Sequence, residues 1–303
     1  MTNITIKQLR YFEALARIGH FGRAAEACSI SQPALSVQIK ELEAMLGAPL
    51  IERAARQIRL TTLGADFLKR ARKILMDVDE LSELARSTGS QLKGALRIGV
   101  IPTIAPYLLP AIIKELGRNL PDLDLLPRES VTQSLISDLL ESRLDFVVAA
   151  LPISEPDLRE FALFEEEFVL VRSRQDARKP APNPQTLKEM KLLLLEEGHC
   201  FRDQALSICD LRPSDPSLVM EGSSLSTLVQ MVNAGLGVTL IPEMAVPLEV
   251  QEDGLFVSRF TRNKPKRTIG MVWRKTSPLS QQFMELGAII RQTGKASIEL
   301  PQR

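Results

Sequence analysis

From Ala95 onward short apolar runs alternate with segments of helical period, and this alternation restricts the fold more than any single residue does. "ALRIGVIP" reads as a strand, "APYLLPAIIKELGRNLP" as a helix, "DLDLLPRES" as a strand, "TQSLISDLLESR" as a helix and "LDFVVAAL" as a strand. A βαβαβ order of this kind builds a mostly parallel sheet covered on both faces. "EEEFVLVRS" then leads into a second unit holding the helix "SLSTLVQMVNAGLG" and the strand "VTLIPEMAV"; "RTIGMVWR" and a closing helix over Ser277–Thr293 are expected to return to the first. The predicted body is therefore α/β with two lobes. Ligands in such open sheets sit beyond the C-terminal strand ends, in a crevice. Pro102 and Thr103 follow the first strand and Thr132 opens the second helix, which places them there; helix capping is the plainer role for the two threonines.

The segment before this body is helical and basic. The 303 residues carry a formal net charge of +1, yet residues 1–73 hold 12 Lys and Arg against 6 Asp and Glu, leaving 26 against 31 for the rest. A basic module on a mildly acidic body suggests a nucleic-acid reader attached to something else. Leu9, Phe12, Leu15 and Ala16 recur at helical spacing over Ile6–Ile18, and Gly19 stops that helix. In "HFGRAAEACSISQPALSVQIKELEAMLG" a short helix over Arg23–Cys28, a break at Ser29–Ser31 and a longer helix follow. Ser31 suits an N-cap and Pro33 the first turn. Leu35, Ile39, Leu42 and Leu46 form one buried stripe, leaving Gln32, Pro33, Ser36, Val37 and Lys40 for another surface. Two short helices joined by a tight turn match a helix-turn-helix that enters the major groove. "APLIERAARQIRLTTLG" then suits a β-wing whose Arg53, Arg56 and Arg59 lie along phosphates or a minor groove.

Thr62 begins a long helix in which Phe67, Ala71, Ile74, Val78, Leu81 and Ala85 alternate by four and three. Such a seam is expected to bury itself against a second copy, with packing on the protein's own body as the alternative. "STGSQLKG" reads as a hinge-like linker. No run of about 18 apolar residues occurs, and no basic region followed by an apolar one opens the chain. A soluble, cytoplasmic protein without membrane partner is expected, and a solute-binding transport protein is disfavoured.

The segment "AAEACSISQPALSVQIKELEAMLGAPLIER", followed by "LTTLG" and a long helix, resembles the N-terminal domain of LysR-type transcriptional regulators. The resemblance covers the first 90 residues or so and continues into the body. It implies a winged helix-turn-helix over residues 1–61, a linker and dimerisation helix over 62–90, and a two-lobed periplasmic-binding-protein-like effector domain over 91–303. A protein of this kind is a transcription regulator and no enzyme. It would bind double-stranded promoter DNA, work with RNA polymerase and assemble as a homo-oligomer, a dimer of dimers, without cofactor or metal.

"EEGHCFRDQALSICD", residues 196–210, holds two of the three cysteines and one of the two histidines. His199, Arg202 and Asp203 around Cys200 are poor company for a core residue and good company for a thiolate. The spacing is not C-x-x-C, four N/S metal ligands are lacking, and there is no G-x-S-x-G elbow, Walker loop or dinucleotide fingerprint. Thiol redox chemistry remains. His199 and Arg202 are candidates to supply positive field or hydrogen bonds, and Asp203 to orient either. Attack on peroxide gives a sulfenic acid that condenses with a nearby thiol, and Cys209 is the one candidate close in sequence. If the intervening residues are helical, the two Cα atoms stand about 13.5 Å apart, against the roughly 4.4–6.8 Å that a disulfide needs. Closing the bond therefore obliges a rearrangement, as in a switch.

"GHCFRDQALSIC", with "VIPTIAPYLLP", "LVQMVNAGLGVTLIP" and "RTIGMVWR", is similar to the hydrogen-peroxide-responsive members of the LysR family. That similarity implies that Cys200 reacts with peroxide, that Cys209 resolves it, and that Thr103, Thr132, His199 and Arg267 line the peroxide pocket. A cellular dithiol reductant would reset the pair. Cys28 lies outside the pattern. Two alternatives stay open: a LysR-type regulator that binds a small organic inducer in the crevice, and a thiol peroxidase, against which the helix-turn-helix argues.

Overall fold

The computed structural model describes residues 4–53, 58–87, 92–178, 187, 190–209, 219–251, 253–261 and 264–299. The chain divides into two compact units, Met1–Ala85 and Arg86–Arg303.

In the first unit, helix α1 (Ile6–Ile18) opens with a reciprocal cap between Thr5 and Gln8 and ends at Gly19, whose φ of 68° is left-handed. Helix α2 (Phe21–Ala27) begins earlier than the sequence pattern predicts. The reason is His20, whose Nδ1 accepts the N–H groups of Gly22 and Arg23 at 3.1 and 3.3 Å, a histidine acting as N-cap. Helix α3 (Gln32–Leu46) starts where Ser31 Oγ accepts the Ala34 N–H at 3.3 Å. Its Leu35, Ile39 and Leu42 are fully buried with Phe12, Leu15 and Leu50. Strands β1 (Ile51–Arg53) and β2 (Ile58–Leu60) pair antiparallel as the wing. Glu43 of α3 fastens this wing by accepting the N–H groups of Leu50 and Ile51 at 2.8 and 3.2 Å.

Helix α4 (Thr62–Ser87) answers the choice left open for its first turns. The apolar seam does not act as one surface. Phe67 packs edge-on to Phe12 with centroids 5.5 Å apart and Ala71 is buried, so its first turns belong to the unit's own core. Farther along, Ile74 is 45% and Leu81 66% exposed. The side chain of Ala85 lies outside the described residues.

The second unit is built on a mixed sheet. Strand β3 (Gly94–Val100) pairs parallel with β4 (Leu123–Glu129) and β5 (Phe146–Leu151), as the βαβαβ pattern requires, with α5 (Ala105–Asn119) and α6 (Thr132–Leu140) as the crossovers. Strand β6 (Leu158–Ser173) is 16 residues long. Its first part, to Glu167, pairs antiparallel with β11 (Lys266–Arg274), which also pairs antiparallel with β5. From Phe168 it pairs instead with β9 (Val238–Pro242) and β10 (Leu255–Arg259). Strand β7 (Leu192–Leu195) joins β9 to β8 (Val219–Gly222), both parallel. Two lobes thus share one strand. Each has its own core, one around Phe146, Trp273 and Phe283, the other around Phe168, Phe201 and Leu240. Helix α7 (Cys200–Cys209) and α8 (Leu225–Asn233) belong to the second lobe, and a short turn of helix, α9 (Val246–Glu249), follows β9. The last helix, α10 (Ser280–Glu299), returns Phe283, Leu286 and Ile290 to the first core, as expected from the sequence.

Candidate functional site

The exposed side of α3 carries Gln32, Pro33, Lys40 and Val37, the last 52% exposed, while Ser36 is half-buried. An apolar residue left this open beside small and polar neighbours suits contact with base edges and thymine methyl groups. Arg53 lies in β1 with its side chain outside the described residues, Arg59 is exposed on β2, and Arg56 falls in 54–57, also outside them.

In the second unit the helix predicted between the two cysteines exists. Cys200 is the first residue of α7 and Cys209 its last. Ten helical residues hold their Cα atoms about 13.5 Å apart, well beyond disulfide reach. Cys200 is a free thiol, half-buried; the side chains of residues 207–209 lie outside the described residues. The buried side of α7 is divided between two cores: Phe201, Ala205 and Leu206 pack into the second lobe, whereas Cys200 leans against the first. Arg202 is buried and turned toward the strands, donating from Nη1 to the Leu195 carbonyl at 3.0 Å and pairing with Glu221 at 2.6 Å. It fastens the helix. Asp203 is exposed and lines, with Cys200 and Gln204, one side of an open cleft.

Cys200 borders a narrow gap with Ile101, Pro102, Thr103, Val131, Thr132, His199 and Phe201, too tight for a water-sized sphere. A cleft of about 540 Å³ reaches Cys200 and Thr132 along one path, lined also by Ile136, Leu151 and Gln204. Another, of about 430 Å³, reaches Thr103 and His199 between the lobes. Neither threonine caps a helix. Ile104 and Val131 hold the N-cap positions of α5 and α6, both without a side-chain cap bond, and Thr132 Oγ1 is buried with no hydrogen-bond partner. A lone buried hydroxyl costs about 1–3 kcal/mol, and Thr132 lines both the gap and the cleft beside Cys200.

Thr103 is engaged from behind. Arg267 donates from Nη1 to Thr103 Oγ1 at 2.8 Å and from Nη2 to the Thr103 carbonyl at 3.0 Å. The guanidinium is fully buried, lies over the rings of Phe168 and Phe201, and pairs with Glu166. Glu166 Oε2 accepts Arg267 Nε at 2.9 Å, and Oε1 accepts the Met244 N–H at 2.9 Å. Burial pushes the Glu166 carboxyl upward against the opposing pull of Arg267. Burial likewise pushes the His199 imidazole below its usual range, with Glu196 opposing. Of the two roles open to His199, burial favours the neutral hydrogen-bonding ring over a source of positive field. The positive end of α7 stands at Cys200 itself.

The sequence expectations name Thr103, Thr132, His199 and Arg267 but pass over Glu166. A signal was present: in "FEEEF" the positions Phe164, Glu166 and Phe168 share one face of a strand at period two, so the middle glutamate points where the phenylalanines point. All three are buried, while Glu165 and Glu167 pair with Lys266 and Lys264 at the surface. Among the described residues no group of three or more His, Cys, Asp and Glu could hold a metal ion, and no helix is long and apolar enough to cross a membrane.

Residues 6–65 match the family "Bacterial regulatory helix-turn-helix protein, lysR family", and residues 89–295 match "LysR substrate binding domain". This chain belongs to the LysR family of transcription regulators. It is 40% identical over 95% of both chains to the DNA-binding transcriptional dual regulator OxyR of Escherichia coli K12. Among solved structures it is similar to a full-length cysteine-to-aspartate variant of OxyR from Pseudomonas aeruginosa, with TM-score 0.75 and 38% identity over 95% of both chains. A hydrogen-peroxide-bound cysteine-to-serine variant of Corynebacterium glutamicum OxyR matches with TM-score 0.68 and 34% identity, covering 97% of this chain and 94% of that one.

Proposed function

We propose that this protein is a DNA-binding transcription regulator that senses hydrogen peroxide through reversible formation of a Cys200–Cys209 disulfide and so controls oxidative-stress genes. The observation that carries this reading is the place of Cys200: the free thiol begins a helix and borders a narrow gap, next to a cleft, in which Thr132 has an unanswered hydroxyl. In the reaction the Cys200 thiolate attacks one peroxide oxygen, the O–O bond breaks, and sulfur gives up an electron pair to become a sulfenic acid. The leaving hydroxide takes a proton and departs as water. Thr103 and Thr132 hydroxyls and neutral His199 are placed to hydrogen-bond the peroxide, with Arg267 behind Thr103. The Cys209 sulfur then displaces water from the sulfenic acid, which closes the disulfide and obliges α7 to unwind. A cellular dithiol reductant returns both thiols.

Unwinding pulls Phe201 and Leu206 from the second core. The body then has two discrete packings, which an assembly of two or four copies converts into altered spacing of the readers on promoter DNA. The open apolar residues Ile74, Leu81 and Leu84 of α4 suit contact with a second copy. Contact with RNA polymerase belongs to the same reading.

Mass spectrometry after peroxide treatment is the test. We expect a Cys200–Cys209 link in the natural protein, a sulfenic acid trapped by dimedone in Cys209→Ser, and neither in Cys200→Ser. Absence of the link with Cys200 unmodified would defeat the reading. The 430 Å³ crevice, where Tyr107 O–H donates to Glu249 at 2.6 Å beside Ser226, favours the second reading, a small organic inducer. Cysteine-free protein that still regulates would support it.

A further inference from the structure

We infer that Glu166 is a positioning residue for the peroxide reaction, acting on Cys200 chemistry through Arg267 and Thr103. The inference rests on the peroxide reading of the Cys200 gap. A guanidinium on a flexible stem needs its planar fork held if two of its donors are to meet one residue. Glu166 supplies that hold: its Oε2 meets Nε at 2.9 Å and Nη2 at 2.8 Å, which sets the fork so that Nη1 and Nη2 also reach Thr103 Oγ1 and the Thr103 carbonyl, 2.8 and 3.0 Å away. The other oxygen, Oε1, is tied to the Met244 N–H at 2.9 Å, so the carboxylate cannot swing. Met244 follows β9, which pairs with β6 beyond Phe168, whereas Thr103 follows β3 in the first lobe; the chain of bonds runs from one lobe to the other through β6.

What this does to Thr103 follows from the hydroxyl's inventory of one donor and two acceptor sites. Nη1–H of Arg267 occupies an acceptor site. The Thr103 O–H proton then has no acceptor among the hydrogen bonds of the described residues, and Thr103 lines the gap that holds Cys200. A donor fixed in advance stabilises negative charge as it develops. When thiolate sulfur displaces the far peroxide oxygen, that oxygen becomes hydroxide, and a pre-aimed O–H is what it needs. With Glu166 replaced by Gln, an amide N–H must face either Arg267 or the Met244 N–H. The fork then loosens and the Thr103 hydroxyl is free to turn.

The experiment compares the rate of Cys200 oxidation by hydrogen peroxide with its alkylation by iodoacetamide, which needs no aligned leaving-group donor, in full-length protein. Glu166→Gln should slow the peroxide reaction by about tenfold to a hundredfold and leave alkylation within about twofold. Thr103→Val should slow it comparably, and the double variant should be no slower than Thr103→Val alone, the non-additivity of residues acting through one another. Should Glu166→Gln not fold, Arg267→Lys, which keeps the buried cation but not the fork, must give the same selective loss. A natural peroxide rate in Glu166→Gln beside a slow Thr103→Val overturns the inference and leaves the peroxide reading standing. Equal slowing of peroxide and iodoacetamide also overturns it, as a merely structural role. If Thr103→Val reacts at the natural rate, and that rate is no faster than an ordinary thiol's, the peroxide reading and the inference fall together.

Discussion

Helices α3 and α7 are both one-sided, yet they are seated differently. α3 buries Leu35, Ile39 and Leu42 in a single core, is capped by Ser31 and is stopped by Gly47 at a left-handed φ of 71°. Every local and tertiary preference supports the same helix. α7 divides its contacts between two cores, with Cys200 on one and Phe201, Ala205 and Leu206 on the other, and is tied down by the Arg202–Glu221 pair. A reading head must keep its shape while it moves as a body. A sensor element must be able to lose its shape, and a helix shared between two cores can exchange one packing for another.

The largest effect that would break this comparison is at Phe201. Phe201→Ala removes the ring that packs at 5.3 Å on Phe168 and lies under Arg267, and should cost about 3–5 kcal/mol in the effector unit. It should also let reduced protein give the DNA footprint of oxidised protein. Denaturant unfolding and footprinting check both, and a loss under about 1 kcal/mol would show that α7 is not held from the second core.

A smaller effect sharpens the other side. Lys40→Ala, on the exposed side of α3, should weaken DNA binding uniformly across sequences and reduce the salt slope by about one unit. Binding isotherms at stepped salt would read this, and an unchanged slope would remove Lys40 from the phosphate contacts.

The smallest effect concerns protons. Burial holds the His199 pKa in the folded unit below its unfolded value of about 6.5. The unfolded chain therefore binds more protons in that interval. The stability tied to neutral His199 is complete above about pH 6.5 and is lost as pH falls through the lower folded value. Thermal melts of His199→Gln should decline less on acidification below about pH 6.5 than melts of the natural protein; parallel declines would dismiss the histidine.

How far the sequence reached differs between these regions for physical reasons. α3 was legible because its caps and stripe are local: Ser31, Pro33 and Gly47 act within a few residues of themselves. The α4 seam left two readings open because a four-and-three spacing looks the same whether Phe67 meets Phe12 of its own unit or a second copy. The helix between the cysteines was foreseen, and so was the distance problem it creates. Local spacing alone does not show which charged groups stand beside the gap; the resemblance names Arg267 but not Glu166. Arg202 stands two residues from Cys200 but turns to Glu221, while Arg267 and Glu166 arrive from distant strands. Sequence proximity ranked them in the reverse order.

Strand β6 gives the effector unit a property that amide exchange can read. Nine of its residues, all of Leu158–Glu167 except Leu163 at a bulge, pair with one lobe and the last six with the other, so a swivel between lobes twists this ribbon at Glu167 and Phe168. The Phe168 N–H donates across to the Pro265 carbonyl at 2.9 Å, marking the seam with a single exchangeable deuteron. Oxidation that turns the lobes should speed deuterium uptake at that amide while Val171, paired on both sides within the second lobe, remains protected. The strand would thus serve as a torsion gauge written into the backbone, readable without any label.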